Sequence, residues 1–165
     1  MNSTIPITHV TEAIATLLDE AFNHGRGYFL DPHASIFETL ASVTAAQASV
    51  PLAGVGATIA AQVKHIAFDL GYVAQCLCHP ANPPADWGEV WRTVGRVSPS
   101  EWQAIQQELR TNYHHLNTLF AEPSMWTTPH NLSLAIALIA HAAYHLGEIR
   151  QALWLHQTHP NLTAP

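Results

Sequence analysis

Apolar residues recur every three or four positions along most of the chain, which is the spacing of one face of a helix. This pattern predicts a first helix over about Thr11–Phe22 and a second over about Ala57–Leu77. A third helix follows the sequence SPSE, and a fourth begins at Thr128–Pro129 and ends at about His156. The chain therefore contains four long predicted helices.

The third helix has the clearest start signal. Ser98 is its predicted cap, Pro99 occupies the first turn, and Glu101 completes a capping box. One face of the helix that follows carries an apolar stripe, which consists of Trp102, Ile105, Leu109, Tyr113, Leu116 and Phe120. A stripe of this kind predicts one face packed against a core.

A shorter helix is predicted between the first two long ones. Either Asp31 before Pro32, or Ser35 three residues ahead of Glu38, marks its start, and the pattern fades by Gln47. The stretch 39–63 carries no charged residue and is long enough to cross a membrane as a helix. Its Gln, Ser, Pro and Gly residues, however, favour a loop that joins two helices over a membrane segment.

No stretch alternates in the manner of paired strands. The prediction is an all-α four-helix bundle, with a short extra helix between the first and second long helices. One domain over residues 1–165, with a core over about 10–156, accounts for the whole length.

Composition narrows the class of partner. Of the 165 residues 48% are hydrophobic and only 11% charged, a surface that suits an oligomer. The formal net charge is −6 and no basic cluster occurs, so neither nucleic acid nor an anionic membrane is an expected partner. The start MNSTIPITHV lacks the charge and apolar run of a signal peptide, and Cys76 and Cys78 are too close for a comfortable bridge, so a cytoplasmic location is predicted.

Histidine is strongly over-represented, with 12 in the chain. Such an excess invites a search for a metal or proton-transfer site. In the third helix, His114 and His115 point in different directions, so at most one can face the core. A surface role is predicted for six others: His9, His24, His33, His130, His156 and His159.

His141 and His145 stand four residues apart within a strongly apolar segment. At about 100° per residue they project side by side from one helix face, together with Leu134 and Leu138. Two buried imidazoles without partners would be costly, and a shared cation would satisfy both. His65, in the middle of the second long helix, is the natural third ligand.

Polar residues flank these histidines at helical spacing. Gln62, Asp69 and Tyr72 share the face of His65, and Glu148 lies seven residues beyond His141. Asp69 and Glu148 are the candidate catalytic carboxylates, either orienting an imidazole or serving as a base. An ordinary solvated or ion-paired face is the competing interpretation for both.

Other chemistries find little support. The sequence CLCHP offers Cys76, Cys78 and His79 as soft ligands, but structural zinc sites take four ligands at wider spacing. The chain has no phosphate-cradling glycine loop, nucleophile elbow or dinucleotide fingerprint. The remaining alternative is a metal-free helical scaffold in which the histidines hydrogen-bond to one another.

Three sequence features occur together: ATIAAQVKHIAF after a Pro/Gly loop, SPSEW at a helix start, and IAHAAYHLGEIRQAL in the last helix. In combination they resemble the DinB/YfiT-like superfamily of bacterial metal-binding four-helix bundles, over about Val10 to Trp154. The resemblance implies that His65, His141 and His145 bind one divalent ion and leave some of its coordination positions open. Nickel or zinc is the expected ion, and iron or manganese is the next choice.

By the same resemblance, the protein would be a homodimer. It would act on a small molecule as a metal-dependent hydrolase or as a transferase that uses a low-molecular-weight thiol. The alternative is a non-catalytic metal-binding or stress-response protein whose ion is structural or acquired. The native metal, the substrate and the existence of catalysis are not fixed by the sequence.

Overall fold

The computed structural model describes residues 4–51, 56–79 and 83–159, and this part of the chain is all-helical. Seven α-helices follow one another: α1 (Ile7–Phe22), α2 (Ile36–Leu40), α3 (Ala45–Ala48), α4 (Ile59–Cys78), α5 (Glu89–Thr93), α6 (Pro99–Phe120) and α7 (Pro129–Thr158). A 3₁₀ turn, Pro123–Trp126, joins the last two. The predicted all-α class and its four long helices, α1, α4, α6 and α7, are confirmed.

The four long helices share one hydrophobic core. Helix α4 packs against both α6 and α7, and α1 packs against the other side of the same two helices. Each long helix contributes a fully buried aliphatic side chain, namely Leu18, Ile66, Leu109 and Leu146. The apolar stripe predicted for α6 is buried along its whole length. Burial of this extent is the main force that holds the helices together.

The predicted start signals act as caps. The Ser98 side chain accepts a hydrogen bond from the Glu101 backbone N–H, and the Glu101 carboxylate accepts one from the Ser98 N–H. Helix α7 starts at Pro129, where the Thr128 side chain accepts from the Asn131 N–H. These bonds satisfy donors that every helix start leaves unpaired.

The segment between α1 and α4 differs from its prediction. Two short helices, α2 and α3, replace the single helix, and each begins with its own capping box, at Ser35–Glu38 and at Thr44–Gln47. The Ser35 start is confirmed and the Asp31 alternative is wrong. The loop predicted over 39–63 is also wrong in part, because α3 and the first turn of α4 lie within it.

Helix α5 and the 3₁₀ turn were not predicted. Each is too short, at 5 and 4 residues, for an apolar period to become visible in the sequence. Helix α5 packs on α4, and its Val90 side chain is buried. This contact places the connection between α4 and α6 beside the middle of α4.

Helix α7 is long and apolar enough, by length and composition alone, to cross a membrane, and it is the one described helix that meets this criterion. About 33% of its most apolar window is buried inside the protein. Core helices of soluble proteins meet the same criterion, and α7 packs on α1 and α4 through buried residues such as Leu138 and Ile149.

Candidate metal centre

Two helices bring the three predicted ligands together. His65 lies in the middle of α4, and His141 and His145 lie one turn apart on the face of α7 that packs against it. The ring centroids of His141 and His145 are 4.5 Å apart, and those of His65 lie 5.1 Å from His141 and 4.9 Å from His145. The convergence expected from the sequence therefore exists in the tertiary structure.

One candidate ligand atom from each ring lies within 4.8 Å of the other two, so the three histidines form a group that could hold a metal ion. Nδ1 of His65 and Nε2 of His141 are buried and have no hydrogen-bond partner. An unpartnered buried nitrogen costs about 1–3 kcal/mol. A shared cation would satisfy both atoms, and neutral imidazole nitrogens are the donors that nickel and zinc accept.

The ring of His145 is held in one orientation by two neighbours. Its Nδ1 lies 2.5 Å from Oε1 of Gln62 on α4 and 2.8 Å from Oε2 of Glu148, one turn further along α7. Both acceptors favour a proton on Nδ1, which leaves the lone pair on Nε2 as the possible ligand. This is the arrangement in which metal-bound histidines are usually found.

Burial favours the neutral form of two of the three imidazoles, those of His65 and His145. Burial, and then the neighbouring His145 and His141, lower the pKa of His65 to about 4. Burial and His141 also lower the pKa of His145, although the hydrogen bond to Glu148 opposes this shift. Neutral imidazole is the form that binds a cation, so the two rings need not lose a proton first at neutral pH.

The two candidate carboxylates, Glu148 and Asp69, differ in how they interact with the histidine cluster. Glu148, placed seven residues beyond His141 on the sequence, makes its hydrogen bond to His145 instead, at a spacing of three. Burial raises the pKa of Asp69 above its usual range, and the nearby His141 opposes this shift only in part. Glu148 is thus in position to orient a ligand, whereas Asp69 is a carboxyl near the cluster whose proton is held more tightly than usual.

The site has a feature that sequence reasoning missed. Trp91, on α5, lies 4.6 Å from His65 between ring centroids in a tilted arrangement, and Trp87, just before α5, lies 6.2 Å from the same ring. The sequence shows that the two tryptophans are four residues apart. Only the packing of α5 on α4 shows which side chains they contact. Tyr72, noted earlier on the face of His65, packs against Trp87 at 5.1 Å.

The remaining cysteines and histidines form no second cluster within the described residues. Cys76 is half-buried, Cys78 is exposed, and neither forms a disulfide. His79 is exposed and belongs to no group of three potential ligands among the described residues. His114 and His115 are both exposed on α6.

Of the six histidines assigned to the surface, five are exposed: His9, His24, His33, His130 and His159. The assignment is wrong for His156. Both of its ring nitrogens are buried without a hydrogen-bond partner, and burial lowers its pKa. Its position near the end of a long helix gave no sign of this, because burial there depends on what packs against the helix end.

No protein-family model, curated protein or solved structure matches this chain.

Proposed function

We propose that the chain is a divalent-metal-binding protein with the four-helix-bundle arrangement of the DinB/YfiT-like superfamily. The packing of both α1 and α4 against α6 and α7 supports the bundle. The observation that carries the function is the group formed by His65, His141 and His145, in which two ring nitrogens are buried and unpartnered. Nickel or zinc is the proposed ion because both accept several imidazole ligands, with iron or manganese next.

The proposed activity is that of a metal-dependent hydrolase or a thiol-dependent transferase acting on a small molecule. Three protein ligands with a remaining open position are the norm at catalytic metal sites, whereas structural sites are closed by four. A bound divalent ion supplies Lewis-acid chemistry, which makes a water or a thiol a better nucleophile at neutral pH. Glu148 would hold the proton on Nδ1 of His145, and Asp69 is the nearby carboxyl available to move a proton.

A non-catalytic role for the ion is the second candidate. Its support is the burial of His65 and His145, each no more than 6% exposed, because an ion there would join α4 to α7. The side chains of Trp87, Trp91 and Tyr144, which lie beside the cluster, remain partly exposed to solvent. This exposure favours the catalytic role, because a substrate must reach the ion from solvent whereas a purely structural ion needs no such access.

Three further properties belong to the same proposal. A homodimer is supported by the low share of charged residues, 11%. A partner other than nucleic acid is supported by the net charge of −6. A cytoplasmic location is proposed from the sequence features already described.

The test is elemental analysis of untagged protein purified without added chelator. We expect about one nickel or zinc ion per chain in the unmodified protein, and loss of that ion in a His145→Ala variant. His115→Ala is the matched control, because His115 is exposed on α6. Unchanged metal content in His145→Ala, or no metal in the unmodified protein even after incubation with NiCl₂ or ZnCl₂, would refute the assignment.

A further inference from the structure

Three aromatic side chains stay exposed although they contact the histidine cluster. Trp87 is 42% exposed, Trp91 is 40% exposed and Tyr144 is 62% exposed. Aromatic rings of this size normally bury most of their surface, and apolar surface that is left open beside a polar cleft commonly marks a binding site. These three residues are called the aromatic rim below.

Residues of the aromatic rim contact the cluster from two helices, α5 and α7. Trp91 lies 4.6 Å from the His65 ring at an interplanar angle of 36° and 6.1 Å from the His145 ring at 37°. Tyr144, on α7, lies 4.9 Å from the His145 ring in an edge-on arrangement. A ligand that reaches the histidine nitrogens from this side must therefore pass along indole and phenol surfaces.

The tryptophans are fixed in place by other contacts. Trp87 packs edge-on against Phe68 at 5.5 Å and against Tyr72 at 5.1 Å, both on α4. The turn that carries both tryptophans is closed by the ion pair of Arg92 with Asp86, at 2.5 Å. A rim that is ordered before the ligand arrives loses less entropy on binding.

One carboxylate is in direct contact with the cluster, because Glu148 is hydrogen-bonded to His145. The basic side chain nearest in sequence to the tryptophans, Arg92, is engaged by Asp86. A phosphate or carboxylate attached to the ligand would be repelled by Glu148 here, whereas an uncharged flat ring would meet exposed aromatic surface.

From this geometry we infer that the proposed metal centre selects small ligands in which a planar aromatic ring without charged substituents sits beside the metal-binding atoms, with Trp91 and Trp87 as the specificity-determining residues. The inference rests on the proposed function, because it concerns the ligand of that ion. It assigns to the tryptophans a role in choosing the ligand and none in holding the ion.

Two hydroxamic acids test the inference. Benzohydroxamic and acetohydroxamic acid carry the same metal-binding group and differ in the aromatic ring. Their dissociation constants are measured by calorimetry on the Ni²⁺-loaded full chain. We expect benzohydroxamate to bind about tenfold more tightly, the effect of one well-placed stacking contact. In Trp91→Ala this preference should fall to about twofold or less while acetohydroxamate binds as before.

Matched variants separate the causes. Trp154→Ala removes a tryptophan that is 51% exposed at the far end of α7, and it should keep the preference. Trp87→Ala is the second test variant, and thermal melts establish that each variant is folded. The inference is overturned if the unmodified protein shows no preference, or if the preference survives in both Trp91→Ala and Trp87→Ala.

Failure of the underlying proposal looks different. If the protein retains no Ni²⁺ by elemental analysis, neither hydroxamate will bind, and both the metal site and the ligand preference are refuted. If Ni²⁺ and acetohydroxamate bind but the aromatic ring adds nothing, the metal site stands and the role of the rim alone is refuted.

Discussion

At the scale of single residues, the orientation of His145 is the most closely controlled feature of the site. Its Nδ1 is shared between Gln62, which arrives from α4, and Glu148, which belongs to the same helix. The two contacts fix the ring plane and the proton position together. His65 and His141 each present instead a buried nitrogen without a partner.

We predict that Glu148→Gln weakens the binding of Ni²⁺ or Zn²⁺ by about 10- to 100-fold. The amide carries no negative charge, so it holds the proton on Nδ1 of His145 less strongly than the carboxylate does and strengthens Nε2 less as a donor. Competition with a chromophoric chelator measures the affinity. Glu122→Gln, at an exposed position, is the control, and equal affinities in the two variants would contradict the orienting role.

At the scale of elements, the connection that follows α1 is organised by a buried carboxylate. Glu20 is fully buried, and its Oε1 accepts hydrogen bonds from the backbone N–H groups of Arg26, Tyr28, Phe29 and Leu30 at 2.9–3.3 Å. Burial alone would raise the pKa of Glu20, but these donors outweigh it and lower the pKa below 4.5. One side chain of α1 thus replaces the secondary structure that residues 26–30 lack.

We predict that Glu20→Gln lowers the free energy of unfolding by about 1–3 kcal/mol at pH 7, because a charged acceptor of several hydrogen bonds is lost. The lowered pKa means that the carboxylate stabilises the fold above its ordinary value of 4.5 and loses this effect as the pH falls through the folded value. The difference between the two proteins should therefore shrink below pH 4.5.

Urea unfolding across this pH range measures the difference. Glu12→Gln, at an exposed position of the same helix, should change stability by no more than a few tenths of a kcal/mol. A pH-independent loss in Glu20→Gln would argue that shape, and not charge, accounts for its effect.

At the scale of the whole molecule, the proposed ion would tie α4 to α7. These two helices already pack together, and the three histidines lie at their contact. A ligand that binds the folded state and not the unfolded one raises stability in proportion to the logarithm of its concentration over its dissociation constant. Metal loading should therefore be visible in the unfolding of the whole chain.

We predict that Ni²⁺ at about 100 times its dissociation constant raises the melting temperature by about 5–10 °C. A chelator should reverse the shift, and Mg²⁺, which prefers oxygen ligands, should not produce it. In His65→Ala the Ni²⁺-dependent shift should disappear, as measured by differential scanning calorimetry. A shift of the same size in that variant would place the ion elsewhere.

Much of the secondary structure was readable from the sequence. The starts of α6 and α7 carry local signals at Ser98, Glu101 and Thr128, and such signals act over three or four residues. The order α2 then α3 and the position of α5 were not predicted, because helices of 4 or 5 residues show no measurable period. Their place is decided by what they pack against.

For the site, the sequence by itself determined that His141 and His145 share one face of a helix, since that depends only on helical geometry. The tertiary structure decided that His65 meets them, that Gln62 reaches His145 across 83 positions of sequence, and that two tryptophans stand over the cluster. Glu20 and the ring nitrogens of His156 are buried for the same reason. Local spacing fixes how neighbours on one helix are arranged, whereas contact between distant residues depends on how the helices pack around their common core.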